Sequence, residues 1–223
     1  MALSGPRLPP KSGKASQLVV LCHGYGADGN DLISLAPHLA RALPGAAFVA
    51  PNAPEQCPGA GYQWFPISRL DPRDMHKGVE GAAGTLEAFL AAELLRLDLT
   101  PDRLALIGFS QGTMMALHVG LRAMRPAAIV GFSGMLTAPP PHSETGGVPI
   151  LLAHGDADNV IPPDALFAAA TLLGASGYPV QWHMSGGLAH GIDAVEIDMA
   201  ARFLALAFGG RLKTAGEICC ALR

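Results

Sequence analysis

The sequence predicts an α/β fold: a mostly parallel central sheet with helices on both faces. Three observations lead there. Short, nearly continuous apolar runs recur at 17–22, 46–50, 104–109, 127–132, 149–154 and 180–184, each the length of a strand buried on both faces. Stretches with helical apolar spacing alternate with those runs. Polar or glycine-rich loops directly follow several of the runs, where the carboxyl ends of parallel strands gather functional groups. With 223 residues, half of them hydrophobic, the chain can bury a large core in one domain.

Taken in order, residues 1–15 are proline-rich and lack a continuous apolar segment, so they read as a flexible leader and not as a signal peptide. The domain is expected to span 16–208, with 209–223 as a tail. After the first strand comes His23-Gly24-Tyr25-Gly26, a tight loop that brings backbone amides close to something. A helix follows over 31–43, capped by Asn30 or Asp31 and bent or broken at Pro37. Residues 51–76 resist a regular assignment and concentrate Tyr62, Trp64 and Phe65; a long aromatic loop in a compact domain is either functional or a flap on the core. A long helix is expected over 77–98, another after Ser110, one over 164–176 and a last amphipathic one over 192–208.

Composition excludes several classes. Only 15% of residues are charged and the net charge is −3, so no basic block exists to follow a nucleic-acid backbone. No apolar run reaches about 18 residues, so no membrane insertion is expected, and a cytoplasmic location is the default. Cys22 sits in a strand-like run and reads as buried and inert. Cys57, Cys219 and Cys220 show no C-x-x-C spacing and make a poor disulfide framework. Neither a metal nor an organic cofactor is implied.

The chemistry centres on Gly108-Phe109-Ser110-Gln111-Gly112, which fits G-x-S-x-G between an apolar strand and an apolar helix-favouring run. That pattern marks a sharp strand-to-helix turn presenting a serine above the sheet, with glycines where a Cβ would collide. On its own it could equally be a serine capping a helix. A serine hydroxyl needs a base to take its proton, and the base needs an acid to hold its tautomer. Acid candidates follow the 149–154 strand: Asp156, suited to stabilising a turn, and Asp158, further out and better suited to the acid role. Of eight histidines, His190 follows the last strand within a Gly-rich loop, whereas His154 ends a strand and would support the acid loop. The order Ser110, Asp158, His190 is that of a serine hydrolase on such a sheet. The backbone N–H groups of Tyr25 and Gln111 would bind the oxyanion, leaving the His23 ring buried and tying its loop to the sheet.

These residues carry a resemblance. Leu21 to Asp31, Pro51-Asn-Ala-Pro54, Trp64-Phe65, Gly108 to Gly112, His154-Gly-Asp-Ala-Asp158 and Gly187-Leu-Ala-His190 together resemble the phospholipase/carboxylesterase family, which includes the acyl-protein thioesterases. The resemblance implies an α/β-hydrolase fold without a separate lid domain. It also implies a triad of Ser110, Asp158 and His190 acting on ester or thioester bonds; small to medium acyl groups are the substrates expected here. Tyr25 stands where many members carry leucine, which leaves the backbone donor intact. Trp64, Phe65, Met135 and Leu136 are expected to wall the acyl site. The Met- and Leu-rich surface there suits lipid capture or a homodimer contact equally. Rival expectations are a long-chain thioesterase or lysophospholipase, a dienelactone-type hydrolase (against which Ser110 in place of cysteine counts), a peptidase, and a non-catalytic binding protein.

Overall fold

The computed structural model describes residues 3–67, 71–144 and 146–212; the expectations for Cys219 and Cys220 lie outside them. In chain order the elements are β1 (Arg7–Leu8), β2 (Gln17–Cys22), α1 (Gly29–Ile33), α2 (Ala36–Ala42), β3 (Ala46–Val49), β4 (Glu55–Gln56), β5 (Tyr62–Gln63), α3 (Pro72–Leu97), β6 (Leu104–Phe109), α4 (Gln111–Val119), β7 (Ala128–Phe132), β8 (Ile150–Gly155), α5 (Asp164–Ala175), β9 (Val180–Ser185) and α6 (Ala194–Phe208). A seven-stranded sheet has the order β1-β3-β2-β6-β7-β8-β9, parallel throughout except for β1.

The continuous apolar runs are explained by two cores. On β2, Leu18, Val20 and Cys22 face one cluster with Val79, Leu86 and Leu90 of α3 and Leu166 and Leu173 of α5. Val19 and Leu21 face the other, with Leu39 of α2 and Phe203 and Leu204 of α6. Alternate side chains along a strand point to opposite faces, so a strand covered on both must be apolar at every position. β9 is the exception: it lies at the edge, and its Gln181 and Trp182 are exposed.

Four expectations are corrected. The segment read as a flexible leader contributes an edge strand. Arg7 and Leu8 pair with Val49 and Phe48, and Arg7 Nη2 lies 2.6 Å from Glu93 Oε1 on α3. Burial works against the Glu93 charge, but Arg7 and Arg96 outweigh it and hold the carboxyl below its usual range. The 31–43 helix is two helices, broken and not bent at Pro37, which occupies the first turn of α2, and Asp28, not Asn30 or Asp31, caps α1. The irregular 51–76 stretch holds the β4–β5 hairpin, with Glu55 opposite Gln63. It also holds the first turn of α3, capped by Asp71, whose side chain accepts the N–H groups of Arg73 and Asp74. Gly78 on α3 lies against the Phe65 ring, where a Cβ would collide, so the aromatic loop packs directly on that helix.

Candidate active site

Parallel strands bring their carboxyl ends to one edge, and β6, β7, β8 and β9 align there through Phe109↔Phe132, Phe132↔Ala153 and Ala153↔His183. Ser110 follows β6 directly. Its backbone has φ 52° and ψ −115°, a conformation costly for a residue with a Cβ, held by its N–H donating to the Phe132 carbonyl at 2.9 Å. The two elbow glycines are required by packing. A Cβ on Gly108 would strike the backbone of Gly112 and Thr113, and one on Gly112 the carbonyls of Cys22 and His23. Helix α4 begins at Gln111, so the Gln111 N–H lies in its first turn, where the backbone dipole favours negative charge.

The loop after β2 lies against this elbow: a Cβ on Gly24 would sit 3.2 Å from the Ser110 Cβ and 3.1 Å from the Phe109 ring. The His23 ring is buried. The Ala53 N–H donates to its Nε2 at 2.9 Å, so its Nδ1 carries the proton and donates to the Gly24 carbonyl at 2.7 Å. Burial holds its pKa below the usual histidine value, opposed by that backbone bond and by Asp28 and Asp31. His23 is thus a neutral strut, as its position in a His-Gly-x-Gly loop suggested.

Asp158 and His190 meet. His190 Nδ1 donates to Asp158 Oδ2 at 2.7 Å. The aspartate side chain is fully buried, and its Oδ1 accepts the N–H groups of Val160 at 2.8 Å and Ile161 at 3.0 Å. Burial disfavours its charge, but the bonds from His190 and the two amides more than offset this and keep the carboxyl below the usual range. The buried His154 sits behind it, with Nε2 3.0 Å from the Ile161 carbonyl and 3.2 Å from Asp158 Oδ2. Asp156, the other acid candidate, is exposed and accepts the Gly187 N–H at 2.6 Å; its role is to fasten the loop that carries His190. Gly155 lets that loop lie flat on β8, since a Cβ there would strike the carbonyls of Leu188 and Ala189. The His190 ring packs on Phe109, the residue before Ser110, with centroids 4.9 Å apart.

Trp64 and Phe65 are 1% and 3% exposed and belong to the core, which corrects their expected place on an acyl wall. Rings so buried offer almost no surface to a substrate; they support the loops from beneath. Met135 and Leu136 are half-buried beyond β7. The sequence reading missed Ser133, which sits at φ 45° immediately after β7 and donates its hydroxyl to the Gly191 carbonyl at 3.2 Å, next to His190. A polar residue directly after an apolar strand was the available signal. It also missed the side chain of Gln111. Cys22 is fully buried, and burial pushes its thiol up to about 12, so it is inert as expected. Among the described residues, no three His, Cys, Asp or Glu side chains gather to hold a metal ion.

This architecture is the α/β-hydrolase fold, its seven-stranded, mostly parallel sheet flanked by helices. The chain belongs to the phospholipase/carboxylesterase family, whose model matches residues 4–208. Among solved structures it is similar to esterase PE8, with 42% identity, a TM-score of 0.84, and coverage of 92% of this chain and 98% of that one. It is similar as well to the acyl-protein thioesterase 1 of Gibberella zeae (26% identity, 89% of this chain and 94% of that protein). Esterase YpfH of Escherichia coli is 27% identical over 80% of this chain and 78% of its own length. The protein is therefore a hydrolase of the carboxylesterase and thioesterase family.

Proposed function

We propose that this protein hydrolyses carboxylic esters of small to medium acyl groups through an acyl-enzyme on Ser110. The observation that carries the reading is the 2.7 Å bond from His190 Nδ1 to a buried, ionised Asp158. It holds the imidazole in the tautomer whose Nε2 has a lone pair, the form that can accept a serine proton. His190 takes the Ser110 proton as the hydroxyl oxygen attacks the acyl carbon, and the oxyanion is bound by the N–H groups of Tyr25 and Gln111. The imidazolium, stabilised by Asp158, protonates the leaving alcohol as the tetrahedral intermediate collapses. Water, deprotonated by His190, then attacks the acyl-serine and releases the acid.

The same steps serve a thiolate leaving group, and relatives named acyl-protein thioesterase support thioesters as a second substrate class. Among the described residues no helix is long and apolar enough to cross a membrane.

The test is hydrolysis of p-nitrophenyl esters from acetate to palmitate beside the corresponding S-acyl thiols, with Ser110→Ala as control. Activity at short to medium chains that falls by about 10⁴-fold or more in the variant is expected. A folded wild type inert on every ester and thioester would refute the reading; a preference for long acyl thioesters would move it to the second class.

A further inference from the structure

Gln111 enters the proposed reaction only through its backbone N–H, yet its side chain is fully buried and bonded at both ends. Its Oε1 accepts the Trp64 backbone N–H at 2.9 Å, and its Nε2 donates to the Phe65 carbonyl at 2.8 Å. A carboxamide offers acceptor and donor side by side at this length and is neutral at every pH. The Trp64 indole N–H donates in turn to the His23 carbonyl at 3.0 Å. The His23 ring, fixed by the Ala53 N–H, donates to the Gly24 carbonyl.

That last carbonyl belongs to the same planar peptide as the Tyr25 N–H. In a trans peptide the C=O and the following N–H point in opposite directions. Anchoring the Gly24 oxygen on His23 therefore sets the direction in which the Tyr25 N–H points. The loop is glycine on both sides of Tyr25, so little in its own sequence resists a flip of that peptide. Two bonds to the Gly24 carbonyl resist such a flip, one from the Ala27 N–H at 3.3 Å and one from the His23 ring, and the bonded path from Gln111 holds His23 from outside the loop.

We propose that the Gln111 side chain is a positioning residue which, through Trp64 and His23, holds the Gly24–Tyr25 peptide with its N–H toward the acyl oxygen. The nucleophile helix then sets both oxyanion donors: one by its own backbone, the other by this relay. The inference rests on the Ser110 reading of the site. It also accounts for a fully buried glutamine and for a buried indole whose N–H is spent on a loop carbonyl.

Gln111→Met keeps the side chain's length and removes both bonds; Trp64→Phe keeps most of the packing and removes only the donor to His23. Both are expected to lower kcat by about 10- to 100-fold with KM within about threefold, because the hole acts on the transition state and not on bound substrate. A separate readout is the pair of indole N–H signals from the protein's two tryptophans in a ¹⁵N-labelled sample. In Gln111→Met the Trp64 signal should shift and exchange faster, while the half-exposed Trp182 is unchanged. If Gln111→Met fails to fold, Trp64→Phe carries the kinetic test alone. A Ser110-dependent esterase whose folded variants keep kcat within twofold would overturn the relay and leave the Ser110 reading intact. Wild-type hydrolysis that survives Ser110→Ala would sink both.

Discussion

Replacing Asp158 with asparagine changes one atom's chemistry and leaves the shape intact, and the surroundings determine how the new amide must sit. Asp158 Oδ1 accepts two backbone N–H groups, from Val160 and Ile161, so the oxygen of the introduced carboxamide has to take that side. Turning it over would set an NH₂ against both donors, at a cost of about 1–3 kcal/mol for the buried Ile161 N–H alone. The NH₂ therefore faces His190 Nδ1, which must then become the acceptor. The ring proton moves to Nε2, the nitrogen that should receive the serine proton. From a wrong-tautomer base about 10³- to 10⁴-fold of kcat is lost, about 4–5.5 kcal/mol of transition-state stabilisation. KM should stay within a few fold, since no substrate contact is touched. The assay is steady-state hydrolysis of the best p-nitrophenyl ester, with a thermal melt to show that the variant is folded. Asp156→Asn is the companion: it keeps an acceptor for the Gly187 N–H, and its activity should fall by less than about tenfold. A folded Asp158→Asn variant retaining more than a tenth of wild-type kcat would refute the reasoning, as would a larger loss at Asp156.

Two further expectations come from packing and burial. Gly112→Ala should destabilise the fold by at least about 3 kcal/mol or prevent its accumulation, because the new methyl meets the carbonyls of Cys22 and His23, backbone that cannot move without disturbing β2; urea denaturation measures this, and a loss below about 1 kcal/mol would contradict it. Glu196 of α6 is fully buried, and burial pushes its carboxyl up to about 7. The folded state thus holds a proton that the unfolded state releases near pH 4.5, and stability drains away as pH rises from there through 7. Glu196→Gln keeps the neutral shape, so it should match the wild type at about pH 5 and exceed it by roughly 1–3 kcal/mol at about pH 8; equal stability at the higher pH would count against a buried carboxyl at that position.

Much of the fold was legible in the chain because its signals are local. A strand covered on both faces is apolar at every position, and 17–22, 104–109 and 149–154 announce themselves in that way without knowledge of any neighbour. Ser110, Asp158 and His190 stood out because each follows such a run in a polar loop, glycine-rich around Ser110 and His190, and parallel strands must bring those loops to one edge. Where the reading went astray, either a distant partner decided or the element began earlier than its apolar spacing showed. Two residues of β1 pair with β3 only because β3 already lies in the sheet and Arg7 finds Glu93 on α3. Asp28 displaced the nearer cap candidates because the chain enters α1 two residues earlier.

By itself the sequence determined the alternation of strands and helices, the elbow at Ser110 and the order of the polar loops, since each depends on spacing along the chain. Tertiary structure alone decided that Trp64 and Phe65 lie buried in the core and that the Gln111 side chain reaches 46 and 47 residues back to them. Those choices rest on hydrogen bonds about 3 Å long between groups far apart in sequence. Periodicity carries no record of them, and they exist only once the sheet has brought its loops together.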